Sequence, residues 1–488
     1  MFQGLNIAFV TPELTPLAKV GGLADVSGSL PPELAALGHD VRVFLPLYDR
    51  IAERGMDLVP VESAQQVEMT LNGRFLSFNL FEQRHDGRPG TPRLYLVQCA
   101  PLYEREGQVY TDHDDEPVRW FFFQRAVIES LQRLQWAPRI LHLNDWTTAL
   151  LPVLLKRRYG WDQLFAETKS VMTIHNLGYQ GGFAAHVLND LDLTDMSDVF
   201  DPVELSGGGI NWLKTGLATV DRITTVSPTY AEEIQTERYG HGLDGLLRSR
   251  GGDIVGILNG IDETEWDPAG DRMLPVRFGP RDVWRRERNK LELLQRVGLP
   301  EDPKTLLFGL IARLTSQKGI DIMAEVMADF LSERPARLVV LGSGEARYEE
   351  FFRDLAERFP SRVAYRHGYD EPLAHHIEGG SDVFLMPSLY EPCGLNQMYS
   401  QRYGTLPLVH KTGGLADTVQ DVSDGKGHGF VFDEYSGVSL RGAMEHALDL
   451  WETPGAWAAA VERGMERRFG WGDRAERYGE VYRELVAY

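Results

Sequence analysis

Short apolar runs alternate with helix-length segments along this chain, and they do so in two separate series. Asn6–Val10, Val41–Leu45, Ile140–Asn144, Ser170–Ile174 and Arg222–Val226 make up the first series. Leu306–Ala312, Arg337–Leu341, Val363–Arg366, Val383–Met386 and Leu406–Val409 make up the second. Runs this short and continuously apolar read as strands buried on both faces, and the helices between them make those strands parallel. The fold class is therefore α/β, with two doubly wound Rossmann-like domains. At 488 residues the chain is also too long for one core.

The domains are placed at 1–252 and 253–465, with 466–488 as a terminal helix, and 254–262 reads as a strand entering the second domain. From about residue 59 to 98 the texture changes to alternation, with hairpin signals at Asn72-Gly73 and Asp86-Gly87. Antiparallel strands are expected there, inserted beside the first parallel sheet. Pro31-Pro32 is expected to interrupt the helix that opens near Gly21-Gly22, and Gly38 to end it.

A formal charge of −21, from 50 basic and 71 acidic residues, argues against a nucleic-acid partner. In such a chain any anionic ligand needs locally placed Lys and Arg. No run of about 18 apolar residues is present, so no membrane span is expected. The first ten residues lack a basic region and lead straight into a strand, unlike a signal peptide. Cys99 and Cys393 are the two cysteines; a disulfide framework is not expected, and a reducing cytoplasm fits. There is no H-E-x-x-H, no cysteine pair and no G-x-S-x-G, so neither a metal nor a serine nucleophile is indicated.

Ligands of open α/β sheets bind outside the carboxyl ends of the strands. Asp145, His175 and Asn176 stand at such ends, whereas His142 lies within a strand and reads as a core residue. Position alone leaves His175 open between packing and ligand contact. Arg313 and Lys318, five apart in a strand-end loop, can point into one pocket, Arg with forked donors and Lys with a compact charge. Glu391-Pro-Cys393-Gly394-Leu395 leads from a strand into a helix, a geometry that leaves backbone N–H groups outward for an anion. An acid just before that helix start fits if it faces a different part of the ligand or a cationic transition state; taken alone, Glu391 reads more readily as an exposed loop acid. Lys19-Val-Gly21-Gly22-Leu-Ala-Asp25 recurs as Lys411-Thr412-Gly-Gly-Leu-Ala-Asp417, and both copies are helix starts able to offer N–H groups to a diphosphate. Two cations and helix amides can neutralise such a leaving group without a metal.

Together with Thr173-Ile-His175-Asn176-Leu, Leu258-Asn259-Gly-Ile-Asp262 and Arg313-Leu-Thr-Ser-Gln-Lys318-Gly, these motifs resemble bacterial glycogen synthases and plant starch synthases. The match runs in order over nearly the whole chain. The resemblance implies a GT-B fold, with the active site in the cleft between the domains and a last helix crossing back to the first. It implies transfer of glucose from ADP-glucose to the non-reducing end of an α-1,4-glucan, with retention and without a cofactor. It implies that Arg313 and Lys318 bind the donor phosphates, with Lys19, Gly21, Gly22 and Asp25 completing the grip. Gly394, Leu395, Cys393 and Thr412 are then near the diphosphate or sugar, and Tyr369 stacks on adenine. His175 and Asn259 surround the donor glucose, Glu13, Asp145 and Asn176 lie nearer the acceptor, and Glu391 stabilises the glucosyl cation.

Two positions depart from the family. Thr147 follows Trp146 where the family carries His, so no base is assigned there; the loop from Tyr110 to Pro117 is shorter and more acidic than usual. Rival readings are another GT-B transferase, a nicotinamide oxidoreductase (which lacks its G-x-G-x-x-G here) and a non-catalytic glucan-binding protein. A pyridoxal-dependent phosphorylase shares the architecture but should be much longer.

Overall fold

The computed structural model describes residues 4–85, 87–88 and 90–487, so the expected turn at Asp86-Gly87 lies partly outside the described residues. The chain forms two compact units. Unit 1 comprises Met1–Val226, Ala231–Gly260 and Trp471–Tyr488; unit 2 comprises Ser227–Tyr230 and Ile261–Gly470.

The strands of unit 1 are β1 (Asn6–Val10), β2 (Asp40–Pro46), β3 (Leu58–Pro60), β4 (Val67–Leu71), β5 (Arg74–Gln83), β6 (Arg93–Gln98), β7 (Ile140–Asn144), β8 (Lys169–Ile174), β9 (Gly182–Ala184), β10 (Gly209–Asn211), β11 (Arg222–Thr225) and β12 (Ile254–Gly256). Ten of them form one sheet in the order β12-β11-β8-β7-β1-β2-β6-β5-β3, with β4 on β5. From β12 to β6 every neighbour is parallel; β3, β4 and β6 pair antiparallel with β5. Asn72 and Gly73, both at positive φ, make the tight turn between β4 and β5.

Two local expectations fail. The strand expected to enter the second domain does not: Ile254–Gly256 pairs in parallel with Ile223–Thr225 and forms the edge of the first sheet. Unit 2 takes up the chain at Ile261. Pro31 and Pro32 do not interrupt the helix, which runs from Gly22 to Ala36. Each proline removes one intrahelical bond, and burial of Leu30, Pro31, Leu34 and Ala35 on the core side offsets that loss. Gly38, at φ +95, ends the helix with its N–H on the Ala35 carbonyl.

The terminal helix, Gly472–Val486, packs on the helix Gly22–Ala36 and buries Tyr478 and Tyr482 against β7. His142 is buried there between the Tyr482 hydroxyl at 2.5 Å and Thr173 Oγ1 at 2.7 Å. Burial lowers its pKa to about 3, so it is a neutral core residue.

Unit 2 holds β13 (Leu306–Leu314), β14 (Ala336–Gly344), β15 (Val363–His367), β16 (Val383–Met386), β17 (Leu406–His410) and β18 (Phe430–Phe432). They form a six-stranded sheet in the order β15-β14-β13-β16-β17-β18, parallel throughout. Successive residues serve opposite faces: Leu306, Phe308 and Leu310 pack with Met323 and Phe330, whereas Leu307 packs with Leu293 and Ile377. Both faces are covered, which is why these strands are apolar without alternation. Each such side chain contributes about 1.5–3 kcal/mol by burial.

Candidate active site

In a doubly wound sheet the chain starts at a central strand, winds one way, then returns to wind the other. The two strands flanking that reversal diverge at their carboxyl ends and leave a crevice. In unit 2 the reversal lies between β13 and β16. Their register covers only Phe308–Gly309 against Val383–Phe384, after which β13 continues to Leu314 beside β14 alone. Lys318 comes from the turn after β13 and Glu391 from the loop after β16. They meet there, Lys318 Nζ 2.6 Å from Glu391 Oε2.

The sequence around the pair builds this approach. Gly319, at φ +73, brings its turn so close to the other loop that a Cβ would lie 1.9 Å from the Pro387 carbonyl oxygen. Leu389 N–H donates to the Gln317 carbonyl at 2.8 Å, lacing turn to loop. Glu391 is 6% exposed, and its Oε2 also accepts from Ser388 Oγ at 3.0 Å. Behind it, the helix Gly413–Thr418 presses backbone to backbone on the loop, with Gly414 N–H on the Glu391 carbonyl at 3.1 Å. The acid is fixed from three sides. Among the described residues, the N–H groups of Gly394 and Leu395 have no partner, and Gly394 stands at φ +71 before the helix Asn396–Arg402.

Other residues of this half lie around the same sheet end. Arg313, near the end of β13, is exposed, and its side chain makes no hydrogen bond or ion pair among the described residues. Tyr369 follows β15 after Gly368 and is 69% exposed. Cys393 and Thr412 are buried, and the Cys393 carbonyl accepts from Gln397 Nε2.

Unit 1 repeats the principle, with its reversal between β1 and β7. Asn144 Nδ2 ties β7 to the Val10 carbonyl of β1 at 2.9 Å, and its Oδ1 lies 2.9 Å from His175 Nε2. The Asn144 oxygen can only accept, so His175 carries its proton on Nε2 and presents Nδ1 as an acceptor. Burial lowers its pKa to about 3. His175 is therefore a neutral imidazole, held by two strand ends.

Asp145, next in sequence, has φ +55 and ψ −172, a sparsely populated conformation of the kind that collects at functional sites. Its carboxylate accepts His175 N–H at 2.8 Å. Burial outweighs the amides of His175 and Asn176 and, with Glu13 nearby, raises its pKa to about 7. Folded protein then binds a proton on Asp145 that unfolded chain releases near the usual pKa of about 3.9. This contribution to stability is present at low pH and is lost as pH rises from about 4 to about 7. His175 works the other way, because its folded pKa is depressed: it costs stability as pH falls below about 6.5. Asp145→Asn removes the first effect alone. Thermal unfolding at about pH 5 and pH 8 is expected to show a smaller fall with rising pH in the variant than in wild type. Parallel curves would mean that Asp145 ionises normally.

Glu13 is buried, and its carboxylate is already engaged by Val20 N–H at 2.7 Å, Gly21 N–H at 2.9 Å and the Tyr110 hydroxyl at 2.8 Å. Burial raises its pKa, with these bonds opposing. Lys19 pairs with Asp25 at 2.7 Å, and Gly22 is the first helical residue. The two Gly-Gly helix starts thus do different work: the first gives Gly21 N–H to Glu13, the second packs against the Glu391 loop. Asn176 Oδ1 accepts Gly178 N–H, and Asn259 is buried with its Oδ1 unpaired. Sequence reasoning missed Ser388, Asn144 and Tyr110 as partners. Asn144 carried a signal, a polar residue ending an apolar strand; nothing marked Tyr110, 97 residues from Glu13.

Residues 6–249 match the family model of the starch synthase catalytic domain, and 289–463 that of glycosyl transferases group 1. The chain is 42% identical to glycogen synthase 1 of Methylococcus capsulatus, covering 99% of this chain and 97% of that one. It is 44% identical to glycogen synthase of Anaeromyxobacter dehalogenans, covering 99% of both. In structure it resembles the catalytic domain of starch synthase IV from Arabidopsis thaliana, solved with ADP and acarbose, at a TM-score of 0.90, with 33% identity and full coverage of both chains. An acid and a cation at the reversal of one Rossmann-like sheet, a second polar site at the reversal of another, and likeness along the whole length lead to one conclusion: the chain is a glycosyltransferase of GT-B fold and belongs to the glycogen and starch synthase family.

Proposed function

We propose that the chain transfers glucose from ADP-glucose to the non-reducing end of an α-1,4-glucan, with retention at the anomeric carbon. The observation that carries this is the Lys318–Glu391 pair at the sheet reversal of unit 2, beside unpartnered amides at Gly394 and Leu395. A cation and open N–H groups suit a diphosphate leaving group, and an acid suits the positive charge that develops on the sugar. Arg313, exposed near the end of β13, is the second phosphate ligand. His175, Asn259, Cys393 and Thr412 contact the donor sugar or diphosphate in this reading. Glu13, Asp145 and Asn176 serve the acceptor, and Lys19, Gly21, Gly22 and Asp25 complete the grip on the donor phosphates.

Departure of the diphosphate leaves a glucosyl cation shielded on one face. The leaving phosphate oxygen takes the proton of the attacking 4-hydroxyl, and the new bond forms on the face just vacated. Glu391 is not the nucleophile in this route; a trapped glucosyl ester on Glu391 would overturn it. No cofactor is assigned to the transfer, since the chain's own cations supply the charge. The reaction is placed in the cytoplasm, a reading supported by two buried cysteines that form no disulfide; among the described residues no helix is long and apolar enough to cross a membrane.

Tyr369 tests the nucleotide assignment. An exposed ring at a strand end can stack on a base, and such stacking contributes about 1–3 kcal/mol. Tyr369→Ala is expected to raise KM for ADP-glucose about tenfold or more with kcat nearly unchanged, and Tyr369→Phe to restore it. An unchanged KM would remove Tyr369 from the donor site.

A further inference from the structure

One buried histidine of unit 2 is left with an acceptor set that lacks a donor. His375 is 2% exposed. Its Nδ1 lies 2.7 Å from Asp271 Oδ2, which also accepts the Tyr403 hydroxyl at 2.7 Å. Asp271 Oδ1 accepts Met273 N–H. With that carboxylate fully used as an acceptor, the imidazole proton resides on Nδ1. The other nitrogen, Nε2, is buried and has no hydrogen-bond partner.

Two carboxylates stand beside it. The ligand atoms of His375, Glu265 and Glu371 all lie within 4.8 Å of one another. Glu371 and His375 are four apart on the helix Glu371–Gly380 and share one face; Glu265 comes from the segment that leads into Asp271. A buried ring nitrogen without a partner, in a cluster with two carboxylates, is a ligand atom that a cation held among them would satisfy.

We propose that Glu265, Glu371 and Nε2 of His375 form a binding site for a borderline divalent cation of the zinc type. The donor set of one imidazole and two carboxylates suits such an ion rather than calcium or magnesium. Ligands of one tetrahedral ion with bonds of about 2.0–2.2 Å sit about 3.4 Å apart, so both exposed glutamates need only close inward. Asp271 supplies what a metal-bound histidine requires behind it, a carboxylate that fixes the tautomer and aims the ring. Trp266 stacks on that ring at 4.2 Å, restricting its rotation. The ion would fasten the segment of Glu265–Asp271 to the helix of His375. It takes no part in glucosyl transfer, where none of these three side chains has a role.

The test uses full-length protein, freed of metal by chelation and then dialysed, without nucleotide. Co²⁺ is added alone and followed by its visible d–d absorption, and Zn²⁺ alone is followed by calorimetry. One ion per chain is expected, with affinity at least about tenfold lower in Glu371→Gln and in Glu265→Gln. Both glutamates are exposed, so these variants should keep the metal-free melting temperature of wild type. Wild type alone should melt higher on adding Zn²⁺. Binding unchanged in both variants places the ion elsewhere and overturns the proposal. Absence of a bound ion in wild type overturns it as well.

Discussion

Glu391→Gln is expected to lower kcat for glucosyl transfer by about 10²–10³-fold while leaving KM for the donor within a few-fold. Glutamine keeps the size of the side chain and can still accept from Lys318 and Ser388, which now hold Glu391 Oε2 at 2.6 and 3.0 Å. What it removes is the negative charge, and that charge matters only once the sugar becomes cationic. Lys318, held by a neutral hydrogen bond in place of an ion pair, remains available to the diphosphate, so ground-state binding should survive. A fall in kcat with KM preserved is the signature of an interaction made in the transition state. An equal loss in binding would show that Glu391 only positions Lys318, and an unchanged rate would remove it from the chemistry.

Gly413→Ala is expected to be nearly as damaging, although its side chain would touch no substrate. Gly413 has φ +44, and a Cβ there would lie 1.9 Å from the Glu391 carbonyl oxygen. Moving helix start or loop far enough to relieve that clash costs about 1–3 kcal/mol, and the left-handed conformation adds about 1–2 kcal/mol for a residue with a Cβ. A loss of about 3 kcal/mol in stability follows, visible as a melting temperature lower by several degrees. The displaced loop carries Glu391 with it, and misplacement by about 1 Å costs about 10² in rate. Gly442→Ala is the control, since nothing lies within 4 Å of its added Cβ. That change should be neutral or slightly stabilising in its helix. Wild-type stability and rate in Gly413→Ala would refute the close packing of these two backbones.

Most of the fold was legible because buried parallel strands need continuous apolar runs, and residues such as Leu306–Leu310 supply them. Ile254–Gly256 was misassigned for a physical reason: three half-buried residues at a sheet edge carry no information about which sheet they join. Pro31 and Pro32 misled because local helix energetics were outweighed by burial of one face. The site was legible as a set of strand ends, since polar residues at those ends have few structural uses. The pairing within that set was not. Lys318 and Glu391 are 73 residues apart, and no local pattern says that they meet; the same holds for Glu13 and Tyr110. The repeated Gly-Gly motif shows the limit most clearly, because one sequence feeds amides to a carboxylate in one unit and admits a neighbouring backbone in the other.

The most direct measurement is the initial rate of glucosyl transfer onto glycogen from ADP-glucose and from UDP-glucose, in parallel and at equal concentration. The ADP-glucose assignment requires rapid transfer from ADP-glucose, much slower transfer from UDP-glucose, and α-1,4-linked product extended at its non-reducing ends. Faster transfer from UDP-glucose, or no transfer from either donor while glycogen still binds, would contradict it.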